Sequence, residues 1–136
     1  MGRAERILIL YIRLMAGVLL LAFPTALLPF EWMDAAHRAL GMGELPRASL
    51  IGYLTRSLSL LYGFHGVLLF YLSLDVRRHL ALLRFFAALS IAFGVALFVV
   101  DLAQGMPWFW TAAEGPSIVA AYGLLLYLLR RVEVPS

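Results

Sequence analysis

Four long apolar stretches dominate the chain and restrict what it can fold into. They cover residues 7–30, 50–74, 80–100 and 107–129, and each reaches the roughly 20 residues that a helix needs to cross about 30 Å of hydrocarbon. A backbone amide without a partner is costly in hydrocarbon, so each stretch must satisfy its own hydrogen bonds as a helix. The sequence therefore predicts an all-α fold: a four-transmembrane-helix antiparallel bundle that forms one membrane domain over residues 1–136.

Composition agrees with a membrane protein and excludes several functional classes. Hydrophobic residues make up 63% of the chain, more than in ordinary soluble domains. Cysteine is absent, which excludes disulfides, thiolate metal sites and covalently attached haem. The net charge of +3 is the balance of eleven arginines, without any lysine, and eight acidic residues. Most of these charges lie between the apolar stretches or at their ends. This arrangement indicates membrane orientation and predicts no nucleic-acid partner.

The distribution of arginine predicts the orientation of the bundle. If the four stretches cross the membrane in turn, eight arginines lie on the side of both termini and of the 75–79 turn, and three lie on the other side. The first set is Arg3, Arg6, Arg13, Arg77, Arg78, Arg84, Arg130 and Arg131, and the second is Arg38, Arg47 and Arg56. Because cytoplasmic segments carry the arginine excess, both termini are expected in the cytoplasm.

The first connection, residues 31–49, is longer than the other two and has a helical pattern. One face would carry its apolar residues and the opposite face its polar ones, before Gly41 and Gly43 interrupt the pattern. The apolar set is Trp32, Met33, Ala36 and Leu40, and the polar set is Asp34, His37 and Arg38. We expect a short amphipathic helix on the outer surface, with an irregular ordered loop as the alternative. Asp34 and His37 have the spacing of two metal ligands, but nothing nearby completes a site, so no metal is predicted.

Small residues and prolines indicate how the helices pack. Lipid is as apolar as leucine, so helices associate in a bilayer by close backbone approach at small residues. Within the third stretch, Ala88 and Ala92 lie four residues apart, as do Ser90 and Gly94, and Ala96 extends the set. The pattern predicts a well-buried third helix, or alternatively a contact with another protein. Pro24 and Pro116 should bend or break the first and fourth helices in the turn before each proline.

Two charged residues lie at nearly equal depth inside apolar stretches. Arg56 is near the outer end of the second stretch and Glu114 is near the outer end of the fourth. Since an unpaired charge is unfavourable at that depth, we predict an Arg56 to Glu114 ion pair, with Asp101 as a competing or third partner. The pair could be purely structural, or it could form part of a ligand site.

Trp108 and Trp110 open the fourth stretch, where tryptophan normally belongs to the interfacial aromatic belt. The functional alternative is that the two rings cover a pocket above Arg56 and Glu114. The candidate ligand-binding set is therefore Arg56, Asp101, Trp108, Trp110 and Glu114. Neither a catalytic constellation nor a cofactor is predicted. His65 is the one histidine within a stretch, so a bis-histidine haem site inside one chain is not expected.

Several of these features together resemble a known family. The chain is similar to the DoxX-like family of small bacterial membrane proteins in several features. They are the four spans with a long first outer loop, Thr55-Arg56-Ser57 early in the second span followed by Gly63 and Gly66, and a basic turn before the third span. That family includes subunits associated with quinone-linked oxidoreductases. The resemblance implies a multi-pass protein of the bacterial inner (plasma) membrane, and it carries no functional residue over to this chain.

The sequence favours a non-catalytic accessory or scaffolding role, because little of the chain lies outside lipid and no catalytic set is complete. The expected partners are membrane lipids and a larger membrane-protein complex. The alternative is a lipid- or quinone-binding protein or enzyme that uses the candidate ligand-binding set.

Overall fold

The computed structural model describes residues 2–133 and is helical, with no strand in that range. The helices are α1 (Arg3–Leu20), α2 (Ala22–Ala26), α3 (Phe30–Ala39), α4 (Ser49–Leu72), α5 (Leu80–Gln104) and α6 (Trp108–Glu133). The all-α prediction is confirmed.

Three helices are long and apolar enough to cross a membrane: Arg3–Ala26, which joins α1 and α2, Leu80–Gln104 and Trp108–Val132. Helix α4, with 24 residues, matches them in length. It contains Arg56 and His65, which lower its mean hydropathy, and by composition it is not among the three helices that can cross a membrane. Length and composition thus establish three helices that can cross a membrane.

The chain divides into two compact units. The terminal unit comprises Met1–Ile12 and Leu72–Ser136, and the central unit comprises Arg13–Tyr71. Helix α1 contributes its first part to the terminal unit and the remainder to the central unit. The prediction of one membrane domain over the whole chain stays a prediction.

Within the central unit, α4 runs antiparallel to the second half of α1 and to α2. Residue numbers rise along one partner and fall along the other through the contacts Arg13–Phe70, Ala16–Gly66, Phe23–Gly63, Thr25–Ser59 and Ala26–Arg56. The Arg13 guanidinium carbon lies 5.9 Å from the centre of the Phe70 ring. Helix α4 therefore accompanies its partner throughout residues 13–26.

Gly66 marks a close approach between two backbones in the central unit. A Cβ atom at this position would lie 2.9 Å from the carbonyl oxygen of Ala16 and 2.9 Å from the amide nitrogen of Leu20. Gly63 faces Phe23 in the same way, because a Cβ there would lie 2.6 Å from the aromatic ring. Gly63 and Gly66 of α4 thus let a neighbouring segment come closer than a Cβ atom would permit.

The break between α1 and α2 agrees with the expected effect of Pro24. Proline has no amide to donate to the preceding turn, and its ring crowds the carbonyl four residues earlier. In the structure Leu21 interrupts the helix, and its amide is shared between the carbonyls of Gly17 and Val18, at 3.3 and 3.2 Å. Pro116 behaves differently, since α6 continues through it.

Within the terminal unit, α5 and α6 pack against each other most closely at Gly94 and Gly115. A Cβ on Gly115 would lie 2.5 Å from the Gly94 carbonyl oxygen. Further along the pair, the rings of Phe86 and Tyr122 meet edge to face with centroids 6.0 Å apart. The start of α1 joins this unit through Tyr11, whose hydroxyl donates to the Ala121 carbonyl at 2.8 Å.

Helix α5 buries only one of its faces. The buried residues are Leu83, Ala87, Ser90, Gly94 and Asp101. Of the two predicted small-residue pairs, Ser90 and Gly94 belong to the buried face, whereas Ala88 and Ala92 are exposed. Burial of the helix is thus one-sided.

The predicted short helix in the first connection is confirmed as α3. It ends before Gly41 and Gly43, which have positive φ angles of 77° and 81°. Asp34 then fixes the following segment, because it accepts hydrogen bonds from the Leu45 amide at 2.7 Å and from Arg38 Nε at 2.9 Å. The Leu45 amide and, secondarily, the Arg38 guanidinium hold the pKa of Asp34 below its usual value.

Replacing Gly66 by alanine should destabilise the central unit by about 1–3 kcal/mol, because the new methyl group meets backbone atoms that cannot rotate away. Unfolding of the purified protein in detergent micelles measures the change. Gly52→Ala is the matched control on α4, since nothing lies within 4 Å of a Cβ there. Equal effects of the two substitutions would contradict the close contact.

Ordering of the 34–45 segment should depend on pH through Asp34. Because the folded state lowers the pKa of this carboxyl, its contribution is complete above the unfolded value near 3.9 and is lost as the pH falls through the folded value. The Leu45 amide proton, followed by NMR, should titrate with a midpoint below about 3.9. Asp34→Asn should abolish the titration, and a midpoint above the usual value would contradict the hydrogen bond.

Candidate functional site

The connection between α5 and α6 brings two carboxyl groups together. Helix α5 ends at Gln104, and the next residue, Gly105, has a φ of 66° that lets the chain turn. Helix α6 starts at Trp108. Asp101 lies in the last turn of α5 and Glu114 in the second turn of α6. Since the two helices are antiparallel neighbours, these residues lie at the same end of the pair, and their carboxyl groups interact.

Asp101 is the most unusual polar residue of the terminal unit. Only 5% of it is exposed, and among the described residues no donor reaches its buried Oδ2 atom. A buried acceptor without a donor is unfavourable by about 1–3 kcal/mol, and natural structures normally satisfy such atoms with a proton, a water molecule or a ligand.

Trp110 orients Glu114. Its indole Nε1 donates a 2.9 Å hydrogen bond to Glu114 Oε2, and the four-residue spacing places both side chains on one face of α6. Two members of the candidate ligand-binding set, Trp110 and Glu114, are therefore in direct contact, while their role in binding a ligand stays a prediction. The terminal unit brings together three of the five candidate residues: Asp101, Trp110 and Glu114.

Trp108 lies apart from this cluster. It is 82% exposed, and its ring meets that of Phe109 edge to face at 6.3 Å between centroids. Exposure at the start of a membrane-length helix agrees with the interfacial belt interpretation. A role for Trp108 in covering a ligand stays a prediction.

Arg56 belongs to the central unit and binds backbone oxygens there. One terminal nitrogen donates to the Ala26 carbonyl at 2.5 Å and the other to the Leu28 carbonyl at 3.0 Å. Ala26 is the last residue of α2 and Leu28 lies two residues beyond it, where the helix supplies no further amide donors. Pro29, the next residue, has no amide to donate. The positive guanidinium also interacts favourably with the negative, C-terminal end of the helix dipole.

Sequence reasoning missed this role of Arg56, although a signal was present. Pro24 and Pro29 bracket the end of the first apolar stretch, so carbonyls without donors are expected there, and arginine is the residue that can donate to two at once. The predicted Arg56 to Glu114 ion pair would join the two units and stays a prediction.

The arrangement at the α5–α6 connection is suited to holding a proton or a hydrogen-bonding ligand. Two adjacent ionised carboxylates would repel each other, and one shared proton relieves that repulsion. A ligand hydroxyl would supply the same missing donor to Asp101. Within residues 2–133, no group of three or more histidine and acidic side chains is placed to hold a metal ion.

Asp34 and His37 are engaged in the loop that follows α3. His37 Nδ1 lies 2.9 Å from the Gly43 carbonyl oxygen, and both Asp34 oxygens accept the hydrogen bonds described above. These contacts give both residues a structural explanation.

Comparison with protein-family models, with curated proteins and with solved structures finds no match to this chain.

Glu114→Gln should leave the stability of the bundle unchanged or increase it. The glutamine oxygen can still accept from Trp110, while its amide can donate to Asp101 and ends the repulsion between two acids. Thermal unfolding in detergent measures the effect. Glu44→Gln is the control for loss of one charge, because Glu44 is exposed and its ion pair with Arg38 contributes little to stability. A loss of about 3 kcal/mol would instead support the Arg56 to Glu114 ion pair, because it would leave an unpaired charge.

Proposed function

We propose that this chain is a four-span accessory or scaffolding protein of a bacterial inner membrane, similar to the DoxX-like family. The fourth crossing is α4. It lies antiparallel along a segment that can itself cross the membrane, from Arg13 to Ala26, and its 24 residues extend over about 36 Å. A helix in that position is held at membrane depth by its partner, and Arg56 donates to carbonyls instead of facing lipid.

Contacts at one end of the terminal unit support the proposed orientation. Arg77, in the turn before α5, forms a 2.9 Å ion pair with Glu5 near the start of α1. Arg3 and Arg131 line one cleft, so the beginning of α1 and the end of α6 share this end too. The arginine excess on this side favours a cytoplasmic position for it.

The accessory role is supported by an exposed row of alanines on α5. Ala88, Ala92 and Ala96 lie four residues apart and are all exposed. At about 100° per residue, they lie on the side of the helix opposite the buried face that carries Gly94. Spacing of this kind lets a helix of another protein approach closely, and no segment in the described part of this chain covers it.

Enlarging this alanine row should release the partner complex. Ala88→Leu combined with Ala92→Leu fills the groove between helices, so proteins that co-purify with the wild type in mild detergent should be lost. Ala113→Leu, at an exposed position on α6, is the control for added bulk. A partner complex that survives the double substitution would contradict the proposed contact.

A second candidate function, lipid or quinone binding, is favoured by the unsatisfied Asp101 oxygen. The same two helices, α5 and α6, form an apolar groove of about 360 Å³, which is lined by Gly94, Val95, Phe98, Gly115, Pro116, Val119 and Ala120. A ligand with an apolar tail in the groove and a hydroxyl at Asp101 or Glu114 would satisfy the acid. Trp110 would orient the carboxyl group that receives it.

Native mass spectrometry of the protein released from mild detergent separates the two functions. An accessory subunit should leave the micelle with larger partners bound. A binder should appear alone, or as a homo-oligomer, with a small-molecule mass that Asp101→Asn removes.

A further inference from the structure

A cleft opens between the start of α1 and the end of α6, both in the terminal unit. It has a volume of about 410 Å³ and is lined by Arg3, Ala4, Ile7, Tyr127, Leu128 and Arg131. Two guanidinium groups thus lie at its rim, one from each helix, while the remaining walls are apolar or aromatic. None of these residues belongs to the α5–α6 site.

The two arginines differ in how firmly they are held. Arg131 donates a 2.5 Å hydrogen bond to the Tyr127 hydroxyl, and its guanidinium carbon lies 5.0 Å from the centre of the same ring. The acid nearest to Arg3 in sequence, Glu5, is committed to Arg77. Among the described side chains, no carboxylate lines the cleft, so its described lining carries only positive charge.

The apolar walls continue along the helices away from the rim. Ile7 lies one turn beyond Arg3, is 45% exposed, and faces the cleft together with Leu128. A small water-soluble anion would gain nothing from these side chains. A molecule with a phosphate at one end and an alkyl chain at the other would contact both parts of the cleft.

We propose that this cleft binds an anionic phospholipid, with the phosphate between Arg3 and Arg131 and an acyl chain along Ile7 and Leu128. Basic pockets between helices at a membrane surface suit such headgroups, since arginine can donate two hydrogen bonds to a phosphate. The inference rests on the proposed membrane crossing and orientation, and it is independent of the accessory role.

The test uses the full chain in nanodiscs and in mild detergent, with phosphatidylglycerol and phosphatidylcholine of identical acyl chains as probes. Native mass spectrometry should show one retained phosphatidylglycerol and at least about tenfold weaker retention of phosphatidylcholine. Arg3→Gln combined with Arg131→Gln should weaken phosphatidylglycerol retention by about tenfold or more. Incorporation into nanodiscs, measured separately, tests the membrane crossing itself.

Arg6→Gln combined with Arg130→Gln is the matched control. It removes the same charge from exposed positions of the same two helices, outside the cleft, and should change retention by less than about twofold. Equal losses in both double variants would show general attraction to the membrane surface and overturn the site. Arg3→Lys with Arg131→Lys keeps the charge and should keep most of the binding if the glutamine variant fails to fold.

Competition with inorganic phosphate distinguishes a site for a phospholipid headgroup from a site for free phosphate. At millimolar concentration it should not displace phosphatidylglycerol, because it lacks the acyl chain that contacts Ile7 and Leu128. Displacement at that concentration, or equal retention of the two lipids, would overturn the assignment to an anionic phospholipid.

Discussion

Close approach of helix backbones at glycine is the interaction on which both units depend. In the central unit the contact is at Gly66 against the backbone of α1, and in the terminal unit it is at Gly94 against Gly115. Helices in lipid gain little by burying apolar side chains, so in the proposed membrane setting dispersion between closely spaced backbones would be the main interaction that stabilises the pairs. These contacts fix the position of each helix along its partner, and this position determines which polar groups at the helix ends lie side by side.

Backbone oxygens without donors impose the second constraint. Where α2 ends, the carbonyls of Ala26 and Leu28 lack helical partners, and Arg56 supplies two donors from α4. The same hydrogen bonds also stabilise the arginine, because its charged group has acceptors although it lies within an apolar segment. A residue that hydropathy alone marks as out of place therefore stabilises the interrupted first helix.

The α5–α6 connection is the part of the described chain where polar groups are not all satisfied. Asp101 is buried with one oxygen unpaired, next to Glu114, which Trp110 orients. Proteins retain such groups where a proton or ligand completes them, and they are a more specific sign of function than exposed apolar surface, which any membrane protein presents to lipid. The exposed alanines of α5 and the arginine cleft are chemically different surfaces, suited to a helix and to a phospholipid.

The sequence by itself determined the helical class, three of the four predicted spans as helices that can cross a membrane, the short helix α3 and the break before Pro24. These depend on hydrogen bonding within one segment, on apolar length and on proline, all of which act locally. Only the tertiary structure decided that Ser90 and Gly94 are buried while Ala88 and Ala92 are exposed. Both pairs have the same spacing in the sequence, and which face of the helix is buried depends on where the neighbouring helix packs. The tertiary structure also decided that Arg56 binds the carbonyls of Ala26 and Leu28, since the acceptors lie 30 and 28 residues away along the chain and become neighbours only when α4 folds back along α1.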